Sequence, residues 1–187
     1  MVNGRCFRIK ELFLKIPDDF DKIKTLTVGD VIYISGLVFT ARDAAHQFML
    51  KKKVQEIPFN CSNMALYHCG PLMKKENDEW SAVSAGPTTS SRMEIFEDKF
   101  IQKYGIRLII GKGGMGNKTK KALQKYTCLY TSYTGGAGAL AADKVKEVKK
   151  VYWLKELGMS EAVWIMKLEK FGPLVVAMDS KGNSIYK

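Results

Sequence analysis

Gly86-Pro87-Thr88-Thr89-Ser90-Ser91-Arg92-Met93 is the stretch from which the rest of the chain is read. It follows a short, mostly apolar run, Ser81 to Ala85, which reads as a strand. It leads into a pattern in which Met93, Phe96, Phe100 and Tyr104 recur at helical spacing until Gly105. Ser91 and Glu94 have the spacing of a capping box, so a helix is expected over 91–104. Free N–H groups at a helix start attract anions, and Arg92 adds a planar fork for a carboxylate or phosphate. Taken alone, the same residues also describe an ordinary capped helix with a surface arginine.

The arrangement recurs on both sides. Upstream, Val31 to Phe39 is rich in β-branched and aromatic residues and reads as a strand. Thr40 is a good N-cap, Asp43 sits where a capping-box acid belongs, and Arg42 falls in the first turn. Ala44, Ala45, Phe48 and Met49 supply the apolar side of that helix. His46 lies one turn on from Arg42, as a partly buried histidine. Downstream, Ile106 to Ile110 is a buried strand running into Gly111-Lys112-Gly113-Gly114-Met115-Gly116, a loop whose backbone can approach an anion closely. Asn117 is expected to cap a short basic helix ending near Tyr126. If the strands share one sheet with these turns at one edge, Arg42, Thr88, Arg92 and Lys112 converge. Two arginines and a lysine around a hydroxyl suit a compound with two negative groups.

Other motif readings fail on spacing. Gly111, Gly113 and Gly116 satisfy GxGxxG, but the following strand ends at Tyr133-Thr134-Gly135 with no acid for a ribose until Asp143. A P-loop is broken because Asn117 separates Gly116 from Lys118 and Thr119. No serine stands in a nucleophile-elbow setting, and the acids are scattered.

The remainder fits one α/β domain over residues 1–187. Residues 1–25 read as an N-terminal arm or strand pair, from the partial alternation of Phe7, Ile9, Leu12, Leu14 and Ile16. Further strands are expected at Asn63–His68, Thr127–Tyr133, Lys146–Trp153 and Ala162–Leu168. A charged hairpin is expected at Lys74–Glu79, a tightly packed small-residue helix at Ala139–Ala142, and a closing hairpin between Leu174–Met178 and Ser184–Tyr186. The net charge of +11 allows nucleic acid, an acidic partner or an anionic substrate. The lysine groups at 51–53, 118–121 and 144–150 accompany no nucleic-acid module and read as solvated surface, which leaves a basic nucleic-acid-binding domain as the competing class. No apolar run is long enough to span a bilayer, and residues 1–5 do not open a signal peptide, so a cytoplasmic protein is expected. The four cysteines, Cys6, Cys61, Cys69 and Cys128, form no CxxC pair, and only His46 and His68 are there to supplement them. Reduced buried thiols, and no metal held by this chain, are expected.

Taken together and in order, these segments resemble the β subunit, or C-terminal domain, of the class I iron–sulfur fumarases and their L(+)-tartrate dehydratase relatives. The resemblance rests on Val31 to Gly36, Thr40 to His46, Gly86 to Met93, Gly111 to Gly113 and Tyr133 to Ala137. Glu156 to Met159, Glu161 to Trp164 and Asp179-Ser180-Lys181-Gly182-Asn183 continue the series. It implies a three-layer β/β/α swivelling domain and a hydro-lyase that interconverts fumarate and (S)-malate, with tartrate dehydration as the alternative. It implies a [4Fe-4S] cluster carried by a partner α subunit and not by this chain, in a heterotetramer inactive without that partner. It assigns Arg42, Arg92 and Lys112 to the clamping of substrate carboxylates, and Thr88 to the removal of a proton from C3. Ser90-Ser91, and Gly113 to Gly116, depart from the residues usual at those positions in many relatives.

Overall fold

The computed structural model describes residues 11–186. Of the expected N-terminal arm, residues 1–10 lie outside the described residues. The rest begins with strand β1 (Glu11–Ile16) and a 3-10 turn, Phe20–Thr25. Then come β2 (Val31–Thr40), α1 (Asp43–Lys51), β3 (Ala65–Tyr67), β4 (Leu72–Glu76) and β5 (Glu79–Ser84). A 3-10 turn at Ser90–Met93 runs into α2 (Glu94–Tyr104), followed by β6 (Leu108–Gly111), α3 (Asn117–Tyr126) and β7 (Leu129–Ser132). The chain closes with α4 (Gly138–Asp143), β8 (Val145–Tyr152), α5 (Leu154–Leu157) and β9 (Val163–Met178). This is a mixed α/β fold with a sheet-dominated core.

Seven strands form one sheet in the order β1-β2-β3-β6-β7-β9-β8. Strands β1, β2, β3, β6 and β7 run parallel, and β9 runs antiparallel to its neighbours β2, β7 and β8. Because β9 pairs with both β2 and β7, the ladder returns on itself. The two stretches read separately from the sequence, Ala162–Leu168 and Leu174–Met178, are one bent strand. The bend falls at Lys170 and Gly172, both with positive φ. A Cβ at Gly172 would sit 2.8 Å from the Ile32 carbonyl, so the close approach to β2 needs glycine. The expected closing hairpin reduces to a single bridge between Met178 and Ser184.

Alternating side chains of the parallel strands feed two separate cores. Ile34, Val38, Tyr67, Leu108, Ile110 and Leu129 pack with Phe171, Trp164, Met73 and Ala141. Phe39, Leu66, Ile109 and Tyr130 face the other way, against Met49 of α1, Phe100 and Tyr104 of α2, and Leu123 of α3. Burying a large aliphatic or aromatic side chain contributes roughly 1.5–3 kcal/mol, so these two cores hold the parallel strands between them.

Local signals came through where only neighbours in sequence mattered. Gly105 ends α2 in the left-handed region, as expected. The charged hairpin pairs β4 with β5 across Asn77-Asp78, both at positive φ, which suits a two-residue hairpin turn. Strand β8 exposes its lysines and half-buries Val145, Val148 and Val151, a period of three. Two bulges against β9, between Val145 and Glu147 and between Val148 and Lys150, reset the alternation and produce that period.

Candidate active site

The C-terminal ends of β2, β3 and β6 lie side by side, and the segments that leave them carry the candidate residues. Arg42 follows β2 in extended conformation, as the N-cap residue of α1. Lys112 follows β6. The third segment arrives differently from expectation. Strand β5 belongs to the two-stranded β4–β5 sheet and not to the main sheet. Its continuation is stitched onto the edge: the Thr88 N–H donates to the His68 carbonyl at 2.7 Å, Ser90 N–H to the Lys112 carbonyl at 2.9 Å, and Thr89 bridges Lys112 in parallel. The backbones of Thr88 and Lys112 are thereby brought together beside the end of β3. Close packing of Gly86 on Gly138 seats the approach, and a Cβ on Gly86 would lie 3.3 Å from the Gly138 Cα. The small-residue helix was expected to pack tightly, and it does.

The starts of α1 and α3 are capped from a distance, which corrects the local caps read from the sequence. Thr40 is the last residue of β2, and its hydroxyl faces the Ala162 carbonyl at 3.3 Å and the Trp164 N–H at 3.0 Å. The cap of α1 is Glu161, which accepts from the Ala44 N–H at 3.0 Å and faces Arg42 Nε at 3.3 Å. Asp43 pairs with Arg92 instead of closing a capping box. Glu94 does not reach back to Ser91. Its carboxylate accepts from the N–H groups of Gly116 (2.7 Å), Lys118 (3.1 Å) and Thr119 (3.3 Å), and from the Thr119 hydroxyl (2.6 Å), which makes it the cap of α3 in place of Asn117. A Cβ on Gly116 would lie 2.5 Å from Glu94 Oε1. The glycine-rich loop does admit an anion, and that anion is the protein's own Glu94. No nucleotide phosphate can share that helix start. The turn at Ser90–Met93 receives no side-chain cap.

Arg42 lies across Gly70, where a Cβ would fall 2.7 Å from both its Cδ and Nη1. Arg92 is half-exposed beside Asp43. The aliphatic part of Lys112 lies over Gly135, at 3.1 Å from a Cβ built there. No carboxylate among the described residues lies within 4.0 Å of the Lys112 ammonium.

Directly beneath this edge lies a cluster that sequence reasoning missed. His46, His68 and Glu97 are each 0% exposed. Glu97 Oε2 stands 3.1 Å from His68 Nε2 and 3.5 Å from His46 Nε2. His46, expected to be partly buried, is wholly enclosed, with Phe100 at 4.3 Å between ring centroids. Burial by itself would raise the Glu97 carboxyl, but the two imidazoles outweigh it and hold it down at about 2. Burial pushes the His68 imidazole down against the pull of Glu97. The sequence did carry a signal: Glu97, Phe100, Ile101 and Tyr104 form the buried stripe of α2, and an acid on such a stripe demands a buried partner.

These three residues are the one group among those described whose donor atoms converge as a metal site would require. The thiols do not. Cys69 packs in one core, and Cys61 and Cys128 in the other. Burial pushes all three up, Cys61 to about 12, away from the thiolate form that iron needs. The described residues of this chain do not fit an iron–sulfur cluster. Asp179, in the closing segment, is a turn anchor: it accepts from the N–H groups of Lys181 and Asn183, each at 2.9 Å, and from that of Val28 at 3.3 Å. The lysine groups at 118–121 and 144–150 lie largely on exposed positions of α3 and β8. No helix among the described residues is long and apolar enough to cross a membrane.

The fumarase C-terminus family profile matches residues 6–187. The chain belongs to that family. The resemblance read from the ordered motifs is thus borne out. A Methanocaldococcus jannaschii relative, provisionally named L(+)-tartrate dehydratase subunit beta, is 48% identical over 167 residues, covering 88% of this chain and 86% of its own length. The Escherichia coli K12 protein named L(+)-tartrate dehydratase subunit beta is 41% identical over 172 residues, covering 92% of this chain and 85% of its own length. A Geobacillus stearothermophilus protein, provisionally named fumarate hydratase class I, is 41% identical over 175 residues, covering 93% of this chain but 33% of its own length. Family members thus occur both as separate chains of similar size and as part of a longer protein.

Proposed function

We propose that this chain is the substrate-clamping β subunit of a two-subunit hydro-lyase acting on a four-carbon dicarboxylate, fumarate and (S)-malate in the first reading. One observation carries it: the unpaired Lys112 ammonium and the uncapped helix start at Ser90–Met93 border the same segment, Thr88–Thr89. The starts of α1 and α3 already hold carboxylates, so among the three segments that bear candidate residues this corner is the one open to another. In the proposal, Lys112 and Arg92 bind one carboxylate, and Arg42 binds the second through the guanidinium nitrogens that Glu161 does not occupy. The Thr88 hydroxyl, with cationic groups near it to stabilise the alkoxide, takes the proton from the carbon between them.

A [4Fe-4S] cluster, where such a hydro-lyase uses one, belongs to the partner α subunit in this proposal, since the thiols described here do not fit it. A heterotetramer with that partner, in the cytoplasm, completes the reading. The swivelling β/β/α description is proposed with it. Helices α1, α2 and α3 cover one side of parallel β2, β3, β6 and β7, and the antiparallel β8–β9 and β4–β5 pairs pack toward the other core. A second reading, L(+)-tartrate dehydration, is favoured by relatives of that name that match this chain over 85–86% of their length.

Anaerobic assembly with the cluster-bearing partner, then assays on fumarate and on L(+)-tartrate, tests the proposal. Turnover of either substrate is expected, with Lys112→Met and Thr88→Val each losing at least about a hundredfold in kcat/KM. A cluster-loaded complex inactive on both substrates refutes the reading. Wild-type kinetics in Lys112→Met removes Lys112 from the site. Retention on DNA or RNA that falls steeply with salt supports a nucleic-acid-binding domain instead.

A further inference from the structure

We propose that the enclosed His46–Glu97–His68 cluster is a positioning device that sets the distance between the two carboxylate-binding arms of the site. The inference rests on the functional reading above for what is positioned, and on the geometry alone for the network itself. A fully buried carboxylate is costly, and a buried ion pair of this kind gives no assured gain in stability over a packed apolar group. What the cluster does supply is a buried centre in which Glu97 Oε2 faces both Nε2 atoms without meeting hydrogen-bond geometry, and two imidazoles whose outer Nδ1 atoms each make a hydrogen bond that leads to a candidate site residue. At one end, His46 Nδ1 meets the Arg42 carbonyl at 2.8 Å. At the other, His68 Nδ1 meets Ser90 Oγ at 2.9 Å, and that same oxygen accepts from the Lys112 N–H at 3.2 Å. The main chain of His68 completes the set, since its carbonyl holds the Thr88 N–H and its N–H is held by the Ile110 carbonyl at 2.8 Å. Arg42, Thr88 and Lys112 stand on three different segments, and the residues of this cluster touch all three.

The protons can be assigned from the partners. A carbonyl only accepts, so His46 Nδ1 carries a proton. His46 Nε2 faces a carboxylate oxygen, which asks for a second. Ser90 Oγ accepts from Lys112, which leaves its hydroxyl proton to donate to His68 Nδ1 in the proposed network. His68 then carries its single proton on Nε2, which faces Glu97 Oε2 at 3.1 Å. The chain runs Lys112 N–H to Ser90 to His68 to Glu97, with His46 clamping Glu97 to the Arg42 carbonyl. Gly111 leaves room for it: a Cβ there would lie 1.9 Å from Ser90 Oγ and 3.2 Å from His68 Nδ1. This is a second use of the glycine-rich loop, for an internal contact and not for a ligand. The same three residues have donor atoms grouped as in a metal site, and the test separates the two.

Two arms decide it. The first uses the chain with 15N-labelled histidine, whose only two histidines are His46 and His68. Expected are one imidazole protonated on both nitrogens and one neutral ring protonated at Nε2, both altered in Glu97→Gln. Unprotonated Nε2 on both rings, with a stoichiometric bound metal lost in His68→Ala, overturns the network in favour of a metal centre. The second arm uses the assembled complex. Ser90→Ala removes one link without touching the charged cluster. It is expected to lower kcat/KM by about tenfold or more in a complex that stays folded with a melting temperature a few degrees lower, since small misplacements of binding groups are costly to rate. Glu97→Gln is expected to lose more, and Glu97→Asp to recover part of it. Ser90→Ala and Glu97→Gln complexes that are folded and keep wild-type kcat and KM overturn the positioning role. If the wild-type complex turns over neither substrate, the functional reading fails, and the imidazole spectra still decide the network.

Discussion

Replacing Glu94 by alanine tests the distant capping that organises this fold. The Glu94 carboxylate accepts four hydrogen bonds at the start of α3, from three backbone N–H groups and the Thr119 hydroxyl. Loss of an N-cap acceptor costs about 1 kcal/mol. Thr119 is 0% exposed, so its hydroxyl is left without an acceptor away from water. That adds about 1–3 kcal/mol. Solvent access at the half-exposed Glu94 end trims the sum, giving an expected loss of about 2–3 kcal/mol. For a chain of this length, that is a fall of roughly 5–10 °C in melting temperature. Glu94→Gln keeps a carbonyl acceptor and loses the charge, so it should fall between the two. Thermal and urea unfolding followed by circular dichroism measures the loss, and amide exchange at Gly116, Lys118 and Thr119 locates it. A Glu94→Ala loss under about 0.5 kcal/mol, or a change in exchange confined to α2, refutes the capping argument. The loop between Lys112 and Gly116 is held by the same carboxylate, so substrate KM in the assembled complex should rise in parallel.

Gly70→Ala leaves every charge in place but builds a methyl 2.7 Å from Arg42 Cδ and Nη1 and 2.6 Å from the Ser160 carbonyl. The guanidinium is displaced, so kcat/KM of the complex should drop by about tenfold or more, and the clash with the Ser160 main chain should lower stability as well; unchanged kinetics in the folded complex would exclude Arg42 from binding. Asp179 gives a pH dependence. Burial alone would raise its carboxyl, but the hydrogen bonds from Asn183, Lys181 and Val28 reverse this and hold it below its ordinary 3.8. A carboxyl with a depressed folded value stabilises above the unfolded value and loses that contribution as pH falls through the folded one. Urea midpoints should therefore fall below about pH 4, and Asp179→Asn should lower the midpoint at neutral pH and flatten the acid slope. Equal acid slopes in the two proteins would contradict it.

Local chemistry made much of the molecule legible in the sequence. The strand at 31–40, the helix ending at Gly105, the Asn77-Asp78 turn and the tight packing at Gly138 follow from residues within a few positions of one another. The ordered motifs carried the family. Convergence of the segments bearing Arg42, Thr88 and Lys112 follows if their strands share one sheet, and β2 and β6 do. The Thr88 segment joins them by another route, through main-chain bonds to His68 and Lys112.

Tertiary structure alone decided where each carboxylate went. Ser91 with Glu94, and Thr40 with Asp43, have the spacing of local caps, yet Glu94 caps α3, Glu161 caps α1, and Asp43 meets Arg92. A capping box competes with any helix start that packing brings within reach, and here the distant partners offer more donors than the local one. Glu97 makes the same point from inside: sequence puts an acid on the buried stripe of α2, and only the fold brings His46 and His68 to meet it. Periodicity and turn chemistry are properties of neighbours along the chain. The partner of a charge is a property of neighbours in space, because Coulombic and hydrogen-bond energies depend on spatial geometry and surroundings and not on separation in sequence.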